Sequence, residues 1–383
     1  MNRDAYFEGD ARRAWFALKA VPGLGEMRIK RLVEHFGSAR EIFSAGPDAL
    51  LGVEGIGAAL KDGIRFFRPD RKGIDSELER VDNLGYHIVA LGEPLYPRAL
   101  YAIDAPPVFL YIKGGLSPAD DWSMAVVGSR RASDYGRRMT EELAGSLVER
   151  GFTIISGMAW GIDQTAHHSA IQSRGRTIGV LGCGLDVVYP VNQDELRHAV
   201  SEHGALLTEF PLGTPPDPGN FPQRNRIISG LSMGTVVVEA AQRSGSLITA
   251  RLALGQGREV FAVPGRAGNR GSAGTHFLIK QGAKLIEGLD DIIEEFPEDR
   301  LPPAPGKGRE KENRDGGRAG QGIPVLNEEE QLIYKGLSNR PRHIDELSKQ
   351  NKLSSSRTAG VLLQLELKGA ARQLAGNYFV RAH

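Results

Sequence analysis

The sequence predicts an α/β fold: a doubly wound, mostly parallel sheet, preceded by a small all-α region and followed by a helix-turn-helix module. Three observations carry this prediction. Short apolar, β-branched runs recur through the middle of the chain, as they do in strands buried on both faces. Segments of helical spacing lie between most of them, and strand–helix–strand alternation of this kind builds parallel sheets. A stretch rich in Pro, Gly and charge then separates this region from a helical tail.

Taken in order, residues 1–80 read as short helices joined by Gly-rich turns. Val21-Pro22-Gly23-Leu24-Gly25, followed by Ile29-Lys30-Arg31-Leu32, has a helix-hairpin-helix look, and Val53-Glu54-Gly55-Ile56-Gly57 repeats it. Residues 81–298 hold seven candidate strands: Met124–Gly128, Thr153–Ser156, Thr177–Leu181, Leu206–Glu209, Thr235–Glu239, Glu259–Val263 and Lys284–Ile286. Gly136–Arg150 and Asp163–Arg174 are helical segments between them. Residues 299–324 read as a flexible linker. Residues 325–383 read as a winged helix: Asn327 caps a first helix, Ile344–Lys349 and Ser355–Lys368 form the helix-turn-helix, and Ala371–Leu374 with Tyr378–Arg381 make a hairpin around Ala375-Gly376-Asn377.

Bulk properties bound the function. The 383 residues carry 48 Lys+Arg against 47 Asp+Glu, a net charge of +1, so any nucleic-acid partner must be held by local patches. A single cysteine, Cys183, rules out an intrachain disulfide and a four-cysteine zinc site, and fits a reducing cytoplasm. No run of about 18 apolar residues suggests a membrane span. His167 and His168 are adjacent without metal-ligand spacing, so no metal is expected. No G-x-x-x-x-G-K-[ST] occurs, and Gly182-Cys183-Gly184 lacks the third glycine of a dinucleotide fingerprint, so no cofactor is expected.

In a doubly wound sheet, ligands bind outside the carboxyl ends of the strands. There the loops read Gly128-Ser129-Arg130-Arg131, with Ser133-Asp134 as helix cap; Ser156-Gly157 through Asp163, with Asp163 placed as a cap; Ser244-Gly245-Ser246; and Pro264-Gly265-Arg266, with Ser272–Thr275 leading into a helix that bears Lys280. Gly with Ser, Thr or Arg at a helix start is an anion-binding arrangement. Phe221-Pro222-Gln223-Arg224-Asn225-Arg226 adds two arginines, an amide and an aromatic ring. Such a set suits single-strand binding, where bases stack and phosphates pair. The alternative is that Phe221 fills the core and the arginines pair with Glu209 or Glu239. Trp160 has two readings as well, a stacking surface or a plug at the sheet edge.

Tyr96-Pro97…Ile103-Asp104…Pro106-Pro107…Leu110-Tyr111, VVGSR (126–130), SGMAWGIDQTAH (156–167), VLGCGLDVVYP (180–190), FPQRNRIISGLS (221–232), the run 236–265 and GTHFLIKQGA (274–283) occur in this order. On these motifs the chain resembles the DNA-processing protein A (DprA/Smf) family over nearly its whole length. The resemblance implies an extended Rossmann-like core, a sterile-alpha-motif-like N-terminal domain, a homodimer, single-stranded DNA as ligand, and loading of the RecA recombinase during natural transformation, with no hydrolytic reaction. Carried over, the expected DNA contacts are Gly128, Ser129, Arg130, Gly157, Phe221, Arg224, Asn225, Arg226, Ser244, Gly245, Ser246 and Lys280. Lysines expected near Phe221 and Tyr189 are replaced by Asp217-Pro218-Gly219-Asn220 and Val191-Asn192, which shifts the load to arginines. The competing function is a nucleotide-processing Rossmann enzyme of the lysine-decarboxylase-like (LOG) type that cleaves nucleoside monophosphates. Where that family carries a glutamate, this chain has Ala250 or Arg251.

Overall fold

A computed structural model of the chain describes residues 7, 10–303, 328–337, 342–351, 353–367, 370–374 and 378–381. The chain forms two compact units, Met1–Arg309 and Glu310–His383.

The first unit is built on a sheet that has nine strands among the described residues: β1 His87–Ala90, β2 Phe109–Gly114, β3 Ser123–Val127, β4 Thr153–Ser156, β5 Thr177–Val180, β6 Gly204–Thr208, β7 Gly234–Val237, β8 Glu259–Ala262 and β9 Lys284–Leu285. Their order is β1-β2-β6-β5-β4-β3-β7-β8-β9. Strands β3 to β9 are the seven expected runs, and their neighbours pair in parallel. β1 and β2 were not expected. They add antiparallel to the β6 edge and make the sheet mixed.

Side chains alternate across a strand, so each apolar run supplies two cores. Val127, Ile155, Ile178, Val180 and Val237 pack with Ile227, Ile228, Leu247 and Ala250, which come from helices Asn220–Leu231 and Ser246–Gly255. Met124, Val126, Ile154, Val236 and Phe261 face the other way. They meet Leu143, Ala144, Leu147 and Ala166 of helices Asp134–Glu149 and Ile162–Gln172. Burying each such aliphatic side chain contributes about 1.5–3 kcal/mol.

The N-terminal helices share the first of these cores. Phe16 stacks on Phe109 with centroids 4.5 Å apart, and Lys19 Nζ donates to the Glu209 carbonyl at 2.9 Å. Both hairpin turns are present, with Gly23 and Gly55 at φ 77° and 85°. Arg28 ties them together, donating to Gly23 O and Gly55 O at 3.1 Å each.

In the second unit, helices Glu328–Gly336, Ile344–Asn351 and Ser355–Leu367 accompany a three-stranded antiparallel sheet of Arg342–His343, Tyr378–Arg381 and Ala371–Leu374. Ile333, Leu347, Leu362, Leu365 and Phe379 form its core. This is a winged-helix arrangement. The expected Asn327 cap, the 375–377 turn and linker residues 304–324 lie outside the described residues.

One topological feature positions the site. β3 and β7 are neighbours. The chain leaves β3 through Asp134–Glu149 toward β4, and leaves β7 through Ser246–Gly255 toward β8 on the opposite side. Their loops diverge, and a crevice opens between them.

Candidate nucleic-acid interface

A cleft of about 740 Å³ lies at this switch point. Its walls come from four places: Gly128, Ser129, Arg130 and Arg131 after β3; Ala159 and Asp163 after β4; Phe221, Arg224 and Asn225; and Arg243, Ser244, Gly245 and Ser246 after β7. Tyr189, from the loop after β5, also lines it. The expected strand-end loops do converge on one edge of one sheet.

Phe221 and Tyr189 are the rings that line this cleft, and Phe221 is the more closely packed. It lies so close over Gly182 that a Cβ there would sit 2.9 Å from its Cδ1. Tyr189 is tilted against it at 5.6 Å, and the Arg130 guanidinium lies 5.3 Å from its centroid. Trp160, 41% exposed, lines a small adjoining recess with Tyr189 and Phe221, so of its two readings the structure supports an accessible ring over a plug. Ser244 Oγ and Ser246 Oγ are 2.7 Å apart at the start of helix Ser246–Gly255, which has no side-chain cap.

The helix after β3 has the expected serine cap, but its N-terminal end is not open. Ser133 caps it, with Oγ accepting from Gly136 N at 3.1 Å. The Ser133 N–H itself donates to Glu239 Oε2 at 2.9 Å. Glu239 is only 7% exposed, and its carboxylate is wedged so tightly that a Cβ on Gly136 or Gly271 would lie 2.5 Å from one of its oxygens. The positive end of this helix is therefore filled by the protein's own carboxylate. The exposed cations of this loop, Arg130 and Arg131, line the cleft.

Arg224 and Arg226 also differ from the expected phosphate contacts. Arg224 is 4% exposed. Its guanidinium donates to Gly157 O at 2.5 Å and to Val180 O, and its Nε donates to Asn225 Oδ1 at 3.2 Å. Gly157 is glycine for this reason: a Cβ would meet both terminal nitrogens at 2.7 Å. Burial lowers the Arg224 pKa to about 10, with Asp163 opposing. Burial likewise raises Asp163, against the pull of Arg224. Asp163 does not cap its helix. Gly161 stands at the N-cap, and the carboxylate accepts from Ala159 N in the loop before it, at 3.3 Å. Arg226 donates to Ala105 O at 2.8 Å and pairs with the buried Glu209. Pairing with Glu209 was the alternative reading, and for Arg226 the structure supports it. Lys280 is exposed at the far end of helix Ala273–Lys280 and does not line the cleft.

Two cations were not singled out in the sequence. Arg131 and Arg243 are exposed, line the cleft, and have no side-chain ion pair among the described residues. A signal existed for both: Arg131 adjoins Arg130, and Arg243 immediately precedes Ser244-Gly245-Ser246 at the end of the switch-point strand.

His167 is buried, with Nδ1 2.7 Å from Thr177 Oγ1. That hydroxyl donates to Ile154 O, so the imidazole is the donor to Thr177. Burial, then His168 and Arg224, lower the His167 pKa to about 3. Among the described residues no His/Cys/Asp/Glu group could hold a metal ion, and no helix is long and apolar enough to cross a membrane.

Comparison with known proteins agrees with this architecture. A family model described as DNA recombination-mediator protein A matches residues 87–297, and one described as DprA winged helix domain matches 318–377. Protein Smf of Escherichia coli is 47% identical over 252 residues, 65% of this chain and 67% of that protein. DNA processing protein DprA of Bacillus subtilis is 40% identical over 242 residues, 63% of this chain and 80% of that protein. The X-ray structure of DNA processing protein A from Streptococcus pneumoniae aligns with a TM-score of 0.63 and 33% identity, covering 78% of this chain and 99% of that one. A structure of the same protein from Helicobacter pylori, described for its single-stranded DNA binding mode, aligns at 0.50 with 31% identity, covering 55% and 94%. The chain belongs to the DNA recombination-mediator protein A family, also called DprA/Smf.

Proposed function

We propose that this chain binds single-stranded DNA across the switch-point cleft and hands it to a RecA-class recombinase, acting as a homodimer and without chemistry of its own. One observation carries the reading: Arg130, Arg131 and Arg243 share a cleft with the Phe221 and Tyr189 rings and the Ser244–Ser246 helix start. Phosphates pair with the arginines and hydroxyls, and bases stack on rings, at about 1–3 kcal/mol per stacked base. Relatives at 40–47% identity are DNA processing and Smf proteins, and the Helicobacter pylori relative binds single-stranded DNA, which supports this ligand.

An enzymatic reading has less support. Among the described residues, one carboxylate lines the cleft, Asp163, and it is buried beside Arg224. At the position where the LOG type carries its glutamate, this chain has Ala250 or Arg251.

The test is fluorescence anisotropy with a single strand and a duplex of matched sequence. The wild-type chain binds the single strand more tightly, and Arg130→Ala/Arg243→Ala loses at least tenfold on it. Equal affinities for wild type and variant would remove the cleft as the site. Release of free base from nucleoside monophosphates would restore the enzymatic reading. Recombinase loading is checked separately, by RecA filament formation on strands coated with single-strand-binding protein, with and without this chain.

A further inference from the structure

A second groove, of about 470 Å³, opens beside the cleft at the carboxyl end of β8. Tyr135, Pro264, Gly265, Arg266, Asn269 and Ser272 line it. β8 pairs with β7, and paired strands lie about 4.8 Å apart. The groove therefore continues the edge on which Arg243 and Ser244 stand.

Its walls are held firmly. Tyr135 Oη donates to Pro264 O at 2.7 Å, bridging the elements that follow β3 and β8. His276 Nε2 lies 3.0 Å from Gly265 O. A Cβ on Gly265 would fall 2.0 Å from Ser272 Oγ. Asn269 Oδ1 accepts from Gly271 N at 2.9 Å.

Among the described residues, no carboxylate lines the groove. Arg266 and, just beyond the lining, Arg270 are exposed and have no ion pair among the described residues. Glu239 packs against Gly271, but its carboxylate is buried and accepts from Ser133 N. The Tyr135 ring is 41% exposed. Glu142 and Glu287 act on the Tyr135 hydroxyl.

We propose that this groove is a second segment of the single-strand track. It takes the phosphodiester backbone of a strand already seated in the first cleft, with phosphates on Arg266 and Arg270 and a base against Tyr135. The proposal rests on the single-strand reading given above. Rigid walls, unpaired arginines and an accessible ring are the parts of a sequence-tolerant strand site. Its consequence is length selectivity: short oligonucleotides fill the cleft alone, and longer ones gain the groove.

The test uses the intact chain, a series of oligothymidylates and a salt titration. Arg266→Ala/Arg270→Ala is expected to bind the shortest oligonucleotide that wild type binds with unchanged affinity. It is expected to bind one of about 15 nucleotides roughly tenfold more weakly, with a salt slope shallower by about 1.4, at ~0.7 per phosphate contact on single strands. Unchanged affinity at every length overturns the proposal. An equal loss at every length also overturns it, because the groove would then belong to the first cleft. Arg130→Ala/Arg243→Ala separates the two readings. It weakens every length if the cleft is the primary site. If it weakens none while the Arg266/Arg270 variant weakens the long strand, the cleft reading fails, and the groove binds strand but not as a second segment. Unfolding midpoints of the arginine variants are expected to match wild type.

Discussion

Arg226 and Arg243 carry the same charge, but one is held inside the fold and the other projects from it. Removing Arg226 leaves Glu209 buried without its partner, and such losses cost about 3–5 kcal/mol. Urea unfolding is expected to show that loss for Arg226→Ala, whereas Arg243→Ala stays within about 0.5 kcal/mol of wild type and acts on DNA affinity instead. The sequence does not distinguish these cases. Arg224-Asn225-Arg226 reads equally as a phosphate clamp or a core bracket, and the deciding partners are Gly157 and Glu209, 67 and 17 residues away. His167 makes a prediction about pH. Burial lowers its folded pKa to about 3, below the ordinary value near 6.5. The unfolded chain therefore binds a proton that the folded chain refuses, and stability is full above pH 6.5 and falls as pH drops toward 3. Urea midpoints measured from pH 7 to 4 are expected to decline more steeply for wild type than for His167→Gln.

Strands β3 to β8 were legible because their apolar runs are buried almost throughout, whereas β9 is a two-residue strand with Leu285 exposed. The same criterion passed over β1 and β2. β1 is four residues with one end exposed. β2 is buried over Phe109–Ile112 but follows a Pro106-Pro107 pair and joins antiparallel, outside the strand–helix rhythm. The loops at the strand ends were legible from Gly, Ser and Arg, but not the Glu239 wedge, which depends on the contact between the elements after β3 and β7. Gly157→Ala tests the loop after β4 as a unit. Its Cβ would displace the Arg224 guanidinium, an overpacking cost of about 1–3 kcal/mol, and thermal unfolding is expected to show it. In the winged helix, the exposed face of Ser355–Leu367 presents Ser355, Ser356, Ala359, Gly360, Leu363 and Gln364. Its one described cation, Arg357, pairs with Glu329 at 2.6 Å. A helix without free cations reads duplex DNA poorly. A chain ending at residue 303 is therefore expected to bind duplex DNA as the full chain does, by gel shift.

At the scale of the whole molecule, a net charge of +1 supplies no long-range attraction for DNA. On the reading proposed above, affinity comes from local cations at one edge of one sheet. Cleft and groove both lie in the unit Met1–Arg309, so the chain ending at residue 303 is also expected to keep its single-strand affinity. The family and the sheet were readable from ordered motifs. The division between structural and free arginines was not, because it depends on three-dimensional neighbours. That division is the central claim, and salt dependence tests it most directly. The slope of log affinity against log salt for a single strand is to be compared between wild type and Arg130→Ala/Arg131→Ala/Arg243→Ala. The account predicts a slope shallower by about 2, three contacts at ~0.7 each, with an unchanged unfolding midpoint. An unchanged slope in a folded variant would contradict it.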